Sequence, residues 1–187
     1  MVVLNKIYTK TGDSGETGLG DGSRISKASL RVTAIGAVDE TNSAIGIARL
    51  DAEGDMDAML SRIQNDLFDL GADLSAPEEG RKAEKRLRIS DAQVERLERE
   101  IDAMNEKLSP LTSFVLPGGT ALAAHLHLAR AIARRAEAAM VALAAQEKIN
   151  DAALHYANRL SDHLFVMARM ANDAGRGDVL WVPGENR

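Results

Sequence analysis

The chain has 187 residues, 45% of them hydrophobic and only 3% aromatic, with 23 Lys and Arg against 28 Asp and Glu for a formal net charge of −5. That acidity leaves no basic excess to displace the counterions of a nucleic acid, and the absence of cysteine removes disulfides, thiolate zinc sites and cysteine nucleophiles. No apolar leader and no apolar run of membrane-spanning length is legible, so the expectation is a single-domain cytoplasmic protein, helix-rich from its abundant Ala, Leu, Arg and Glu.

Met1 to Ile7 is short and apolar, an extended lead-in. Residues 8–27 then carry glycines at 12, 15, 18, 20 and 22, which disfavour a helix or strand running through. Thr9, Lys10, Thr11, Thr17, Arg24 and Lys27 are interleaved with them. Glycines that let the backbone approach an anion, hydroxyls and fixed positive charge are the ingredients of a phosphate cradle. A flexible N-terminal arm is the other reading, and both stand at this point.

A first helix should start near Ser26–Ser29 and run to about Leu50, with Leu30, Ile35, Val38 and Ile45 apolar. Gly36, Asp39, Ser43 and Gly46 share another face, where close helix packing explains at least part of the small residues. Met56, Leu60, Ile63, Leu67, Leu70 and Leu74 give a second helix its core seam, ending before Pro77. Residues 78–88 are a charged run, read as a solvated, mobile loop without a function. The third helix opens on a capping box, Ser90-Asp-Ala-Gln93, and continues with Val94, Leu97, Ile101, Met104 and Leu108. Thr120 caps a fourth helix reaching about Gln146, and Asn150 or Asp151 a fifth that ends near Gly175. These elements predict an all-α, five-helix up-and-down bundle with a glycine-rich N-terminal loop.

Helices four and five carry a second constellation. At about 100° per residue, Arg130, Arg134 and Glu137 stack on one narrow face while Arg135 points away. On the fifth helix Leu160, Leu164, Met167 and Ala171 make a core face, and Asn158, Asp162, Phe165 and Arg169 a largely polar stripe nearly opposite. Ordinary surface ion pairing would account for such residues in most bundles. Paired arginines, however, offer planar bidentate donors that suit a polyphosphate, and no Walker A loop occurs to bind one otherwise.

Six segments in register resemble one family, the PduO-type ATP:cob(I)alamin adenosyltransferases. They are Tyr8-Thr-Lys-Thr-Gly-Asp-x-Gly-x-Thr17, Arg24-x-x-Lys27, Gly36-x-Val-Asp-Glu-x-Asn42 with Ile45-Gly46, Phe114-Val-Leu-Pro-Gly-Gly119, Arg130-x3-Arg-Arg-Ala-Glu137 and Asn158-Arg-Leu-Ser-Asp162. The resemblance implies a five-helix homotrimer with active sites between subunits, and transfer of the 5′-deoxyadenosyl group of ATP to the cobalt of cob(I)alamin with release of triphosphate. It implies a single domain, with residues 1–27 as ATP loop, 28–175 as bundle and 176–187 as tail. Thr9, Lys10, Thr11, Gly12, Thr17, Gly18 and Lys27 would bind ATP, joined by Arg134, Arg135, Ala136, Glu137 and Asn158, with Mg²⁺ on the phosphates and Glu137 only indirectly involved. Arg134 would stabilise the leaving triphosphate, and Asp39 and Arg130 would pair across the subunit interface. Phe114 would face the cobalamin and displace its lower axial ligand, with Phe165 either in the same pocket or simply packed. The loop would order over ATP as a lid. A reductase and an adenosylcobalamin-dependent enzyme are the implied transient partners.

Three positions depart from the family pattern: Ala138 where Arg is frequent, Thr41 where Leu is frequent, and a tail that matches only loosely. A ferritin-like dimetal bundle fails, because none of His125, His127, His155 and His163 has Glu three residues before it. All four histidines read as structural or surface. A non-catalytic nucleotide-binding scaffold is the remaining rival.

Overall fold

The computed structural model describes residues 7–78 and 86–187. Its elements are β1 (Glu16–Gly18), β2 (Arg24–Ser26), α1 (Leu30–Ala48), a 3₁₀ turn (Arg49–Asp51), α2 (Gly54–Leu74), α3 (Asp91–Asn105), α4 (Ala121–Ala144) and α5 (Asp151–Ala171). Five helices form the bundle as expected, and the helix starts follow from local chemistry. The Ser29, Thr120 and Asn150 side chains accept from the backbone N–H of Val32, Ala123 and Ala152. At α3, Gln93 accepts from the Ser90 N–H at 2.9 Å, completing the capping box. Each cap is worth about 1 kcal/mol.

Helix α1 packs mainly on α4, α4 on α5, and α5 on α3, with α2 laid against α1. The facing surfaces explain this order. Ala34, Ala37, Ala44 and Ala48 of α1, Ala129, Ala133 and Ala136 of α4, and Ala153, Ala157 and Ala168 of α5 are all buried. Small side chains let these three axes approach closely. Bulk comes from Leu60, Ile63 and Leu70 of α2, Leu97 of α3, Leu126, Met140 and Leu143 of α4, and Tyr156, Leu160 and Leu164 of α5.

The structure corrects the sequence reading in three places. Residues 16–26 form an antiparallel two-stranded ribbon, with Glu16 opposite Ser26 and Gly18 opposite Arg24, where no strand was expected. The ribbon consumes Ser26, so α1 begins only after Ser29. The charged run is anchored at its ends: Arg88 pairs with buried Asp73 at 2.5 Å and with Glu78 at 3.1 Å, and Arg86 donates to the Pro77 carbonyl. Its centre, 79–85, lies outside the described residues, as does most of the 1–7 lead-in. Third, close packing does not explain Gly36, where an added Cβ would meet open space; only Gly46 approaches a neighbour, the Gln64 side chain at 3.3 Å.

Candidate functional site

The glycine-rich segment owes its shape to the ribbon. Leu19 N–H donates to the Ser23 carbonyl at 2.8 Å, Lys27 N–H to Gly15 at 2.8 Å, and Gly20 N–H to Ser75 at 2.8 Å, which ties the ribbon to the end of α2. Arg24 braces it internally, donating to the Thr11 carbonyl at 2.7 Å and pairing with Glu16 at 3.4 Å. Lys10 sits at φ 60, the left-handed region that side chains rarely adopt. An added Cβ on Gly12 would lie 3.1 Å from the Lys27 ammonium, so that charge rests directly over the Gly12 backbone. Thr9 and Thr11 share a hydroxyl hydrogen bond of 2.8 Å. The segment is thus a defined turn that presents Thr9, Lys10, Thr11 and Lys27 to solvent, rather than a formless arm.

On the bundle, the helical-wheel expectation for α4 holds. Glu137 faces α5 and accepts from Asn158 Nδ2 at 2.7 Å. Arg134 is exposed and makes no ion pair among the described residues, whereas Arg135 points elsewhere and pairs with Glu40 of α1. Ala136 is buried in the core, so its side chain is a spacer and not a contact. Arg130 is half-buried with its Nε unpartnered, and burial followed by the charge of Arg134 pushes its guanidinium below its ordinary value. A guanidinium stays cationic despite such a shift, so this is an unsatisfied donor held ready for an acceptor. Asp39 is exposed on α1 and does not pair with Arg130 within the chain. Nor, among the described residues, does any hydrogen bond or ion pair join the ribbon to Arg130, Arg134, Arg135, Glu137 or Asn158.

Arg130 also lines a cavity of about 460 Å³ with Leu111, Thr112, Ser113, Phe114, Val115 and Phe165. The structure therefore brings Phe114, Phe165 and Arg130 onto one wall. Phe114 is 77% exposed, an apolar ring on the cavity wall that the bundle does not use as core. Sequence reasoning missed what holds this ring. The chain beyond α5 returns to pair with the loop: Leu116 N–H donates to Val179 at 2.7 Å, Trp181 N–H to Phe114 at 2.8 Å, and Ser113 Oγ to the Trp181 carbonyl at 2.6 Å. The Phe114 and Trp181 rings lie 6.0 Å apart. The unbroken apolar, β-prone run Val179-Leu-Trp-Val182 is the signal that could have suggested a strand-like pairing.

A second cavity of about 470 Å³ opens between α1 and α2, lined by Gly36, Asp39, Asn42, Phe68 and neighbours. It contains a buried, unpartnered Asn42 Oδ1, and Phe68 is 72% exposed beside it. The two single-residue departures from the family pattern are tolerated differently. Thr41 is buried but returns its hydroxyl to the Ala37 carbonyl at 2.8 Å, and Ala138 is exposed.

The histidines are structural or surface groups, as expected. His163 is buried against Glu100 at 2.8 Å, His125 meets Asp51 at 3.0 Å, and His155 is exposed. His127 is buried with neither ring nitrogen partnered, packed edge-on to Phe165 with centroids 6.1 Å apart. Burial first, and then the Arg130 cation, hold its imidazole below the ordinary value, with Asp178 opposing. Below about pH 6.5 the unfolded chain takes up a proton here that the folded chain refuses, so stability falls with pH down to the lowered folded pKa. Melting curves between about pH 7.5 and 5.5 should show this decline, and His127→Asn should flatten it. An unchanged slope in the variant would mean another group titrates. Among the described residues no three His, Asp or Glu side chains form a metal-binding group, and no helix is long and apolar enough to cross a membrane.

The family model described as cobalamin adenosyltransferase matches residues 7–171 of the chain. A cobalamin adenosyltransferase of Cupriavidus metallidurans is 50% identical over 181 residues, covering 95% of each chain. A corrinoid adenosyltransferase of Mycobacterium leprae is 49% identical over 188 residues, covering 97% of each. Among solved structures, a variant PduO-type ATP:corrinoid adenosyltransferase from Lactobacillus reuteri complexed with cobalamin and ATP superposes with a TM-score of 0.88 at 38% identity, over 95% of this chain and 97% of that one.

Proposed function

The chain belongs to the cobalamin adenosyltransferase family, and from that premise we propose that it is an ATP:corrinoid adenosyltransferase acting on cob(I)alamin. The observation that carries the reading is the open cavity walled by Phe114, Phe165 and Arg130, one helical turn from Arg134. An apolar wall suits the face of a corrin, and the unpaired arginines suit a polyphosphate. The cobalt of the reduced corrinoid supplies the nucleophile: its electron pair attacks C5′ of ATP, the C5′–O bond breaks, and triphosphate departs with that bond's electrons. The protein's task is then to align C5′ and to neutralise the charge that grows on the triphosphate.

Arg134 is the group assigned to that charge. Thr9, Lys10, Thr11, Gly12, Thr17, Gly18 and Lys27 cradle the phosphates, and Glu137 with Asn158 holds the nucleoside end. Glu137 is already engaged by Asn158, and no cluster of protein ligands surrounds it. Mg²⁺ therefore fits as an ion brought in on the phosphates, neutralising them, with Glu137 at most an outer partner. Arg135 contributes only if ATP draws it from Glu40.

We also propose that the sites are completed between subunits of a homotrimer. Support comes from the ribbon and Arg134 being unlinked within one chain, from Asp39 and Arg130 left unpaired, and from the exposed Phe68 beside the second cavity. Sedimentation at three times the chain mass is the expected result, and a monomer active at high dilution would exclude it. Cytoplasmic ATP, a reductase delivering the electron and an enzyme consuming the adenosylated corrinoid complete the setting.

The direct test incubates the protein with ATP, Mg²⁺ and chemically reduced cobalamin while following the corrin spectrum. Adenosylcobalamin and triphosphate should appear in equal amounts. ATP binding without either product would favour the non-catalytic scaffold. Phe114 has its own signature. Phe114→Ala should slow the reaction begun from Co(II)alamin with reductant by about tenfold or more, and that from prereduced Co(I) far less. Equal losses on both routes would remove the argument that Phe114 displaces the lower axial ligand.

A further inference from the structure

The cavity wall that carries Phe114 is not built on a helix. Residues 109–116 lie within the connection between α3 and α4, and their described partners are mostly the chain beyond α5. What fixes that chain, in turn, is one guanidinium. Arg169, near the end of α5, is 6% exposed. Its Nε donates to Asp178 Oδ2 at 2.8 Å, and its Nη2 donates to the Ser109 carbonyl at 3.0 Å. The Asp178 side chain is buried as well, and its other oxygen accepts from Asn172 Nδ2 at 3.2 Å. Asn172 reaches the far end of the same loop, donating to the Gly118 carbonyl at 3.2 Å and accepting from the Thr120 N–H at 3.0 Å.

Both ends of the wall loop, and the strand-like segment paired along it, thus converge on Arg169 and Asp178. An added Cβ on Gly175 would come within 3.0 Å of Arg169 Nη2, and Gly175 itself sits at φ 82, so the turn is shaped around the guanidinium. A surface cation would need none of this. The helical wheel groups Arg169 with Asn158 and Asp162, which are exposed; the structure takes it out of that stripe.

We propose that Arg169 and Asp178 are positioning residues for corrinoid binding: their buried pair holds the 109–116 loop and the 178–182 segment so that Phe114 faces the cavity. This deepens the adenosyltransferase reading and rests on it. Neither residue touches a reacting atom. Their contribution is to keep an exposed aromatic ring in one orientation, and a displacement of about 1 Å at such a distance is enough to cost a large factor in binding or turnover.

The chain's one tryptophan gives a readout independent of turnover, because the Trp181 ring lies tilted against Phe114 at 6.0 Å and a bound corrinoid, which absorbs at its emission wavelengths, would quench it. Asp178→Ala should raise the corrinoid KM about tenfold, leave the ATP KM within about twofold, and shift Trp181 emission to the red. Asp178→Glu should recover most of the corrinoid affinity, since it keeps a carboxylate for Arg169. Arg169→Lys, which keeps the charge but not the fork that reaches Ser109 and Asp178 together, should resemble Asp178→Ala. Corrinoid titration followed by Trp181 quenching should give the same order of affinities. Unchanged corrinoid affinity in Asp178→Ala, or a parallel loss for ATP and corrinoid that tracks melting temperature, would overturn the proposal. A native protein that forms no adenosylcobalamin yet is quenched by corrinoid, with Asp178→Ala weakened, would instead defeat the catalytic reading and leave the brace standing.

Discussion

Arg134→Ala should lower kcat by about 10²- to 10³-fold while leaving the melting temperature almost unchanged. The two halves of that expectation have separate origins. The guanidinium is exposed on α4 and forms no ion pair among the described residues, so removing it strands no partner and opens no cavity. Exposed substitutions of this kind fall within about 0.5 kcal/mol. The catalytic loss follows from where negative charge grows. As the C5′–O bond breaks, the departing triphosphate gains charge, and a preorganised donor aimed at it stabilises the transition state more than bound ATP. Losing one such donor costs about 3–4 kcal/mol of barrier. Arg134→Lys should fall between, since it restores charge without the planar fork. A variant whose KM for ATP rises with kcat preserved would make Arg134 a ground-state anchor, and a variant that loses melting temperature and activity together would make it structural.

What the sequence discloses and what it hides divide along the range of the interaction. Ser90 with Gln93, and Ser29, Thr120 and Asn150, are readable as caps because donor and acceptor lie within three residues. The same local rule separates Arg134 from Arg135, whose azimuths differ by about 100°. Phe165 is ambiguous in sequence because packing and pocket-lining demand the same side chain, and in the structure it does both, lining the cavity and packing on His127. The ribbon is hidden for another reason: strands of three residues carry no period, and the surrounding glycines mask them. Arg88 and Arg169 are hidden most deeply. Each looks like a solvated cation in its own segment, yet its acceptor lies on a different element, Asp73 on α2 and Asp178 beyond α5. Nothing in local pattern reveals that a charge will be buried when its partner arrives through the fold.

Asp73 shows how much such a partner is worth, and Asp73→Ala should destabilise the protein by about 3–5 kcal/mol. The carboxylate, 2% exposed near the end of α2, accepts from Arg88 Nη1 at 2.5 Å, from the Ile89 N–H at 2.9 Å and from Asn150 Nδ2 at 2.8 Å. Asn150 is also the cap of α5 and donates to the Ile89 carbonyl at 2.8 Å, so one side chain joins α2, the approach to α3 and the start of α5. Truncation leaves the Ile89 N–H and part of the Arg88 fork without acceptors in a site that admits little water. Most of the cost is therefore the stranded donors rather than the lost attraction. That origin makes a sharp demand on a double-mutant cycle. With Arg88→Met already in place, Asp73→Ala should cost about 1–3 kcal/mol less than in the native background. Denaturant unfolding of the four proteins measures it, with unchanged m-values as the check that the denatured state is shared. Additive losses would mean that the Asp73 carboxylate does not sustain Arg88, leaving the Asp73 backbone carbonyl and Glu78 as its acceptors.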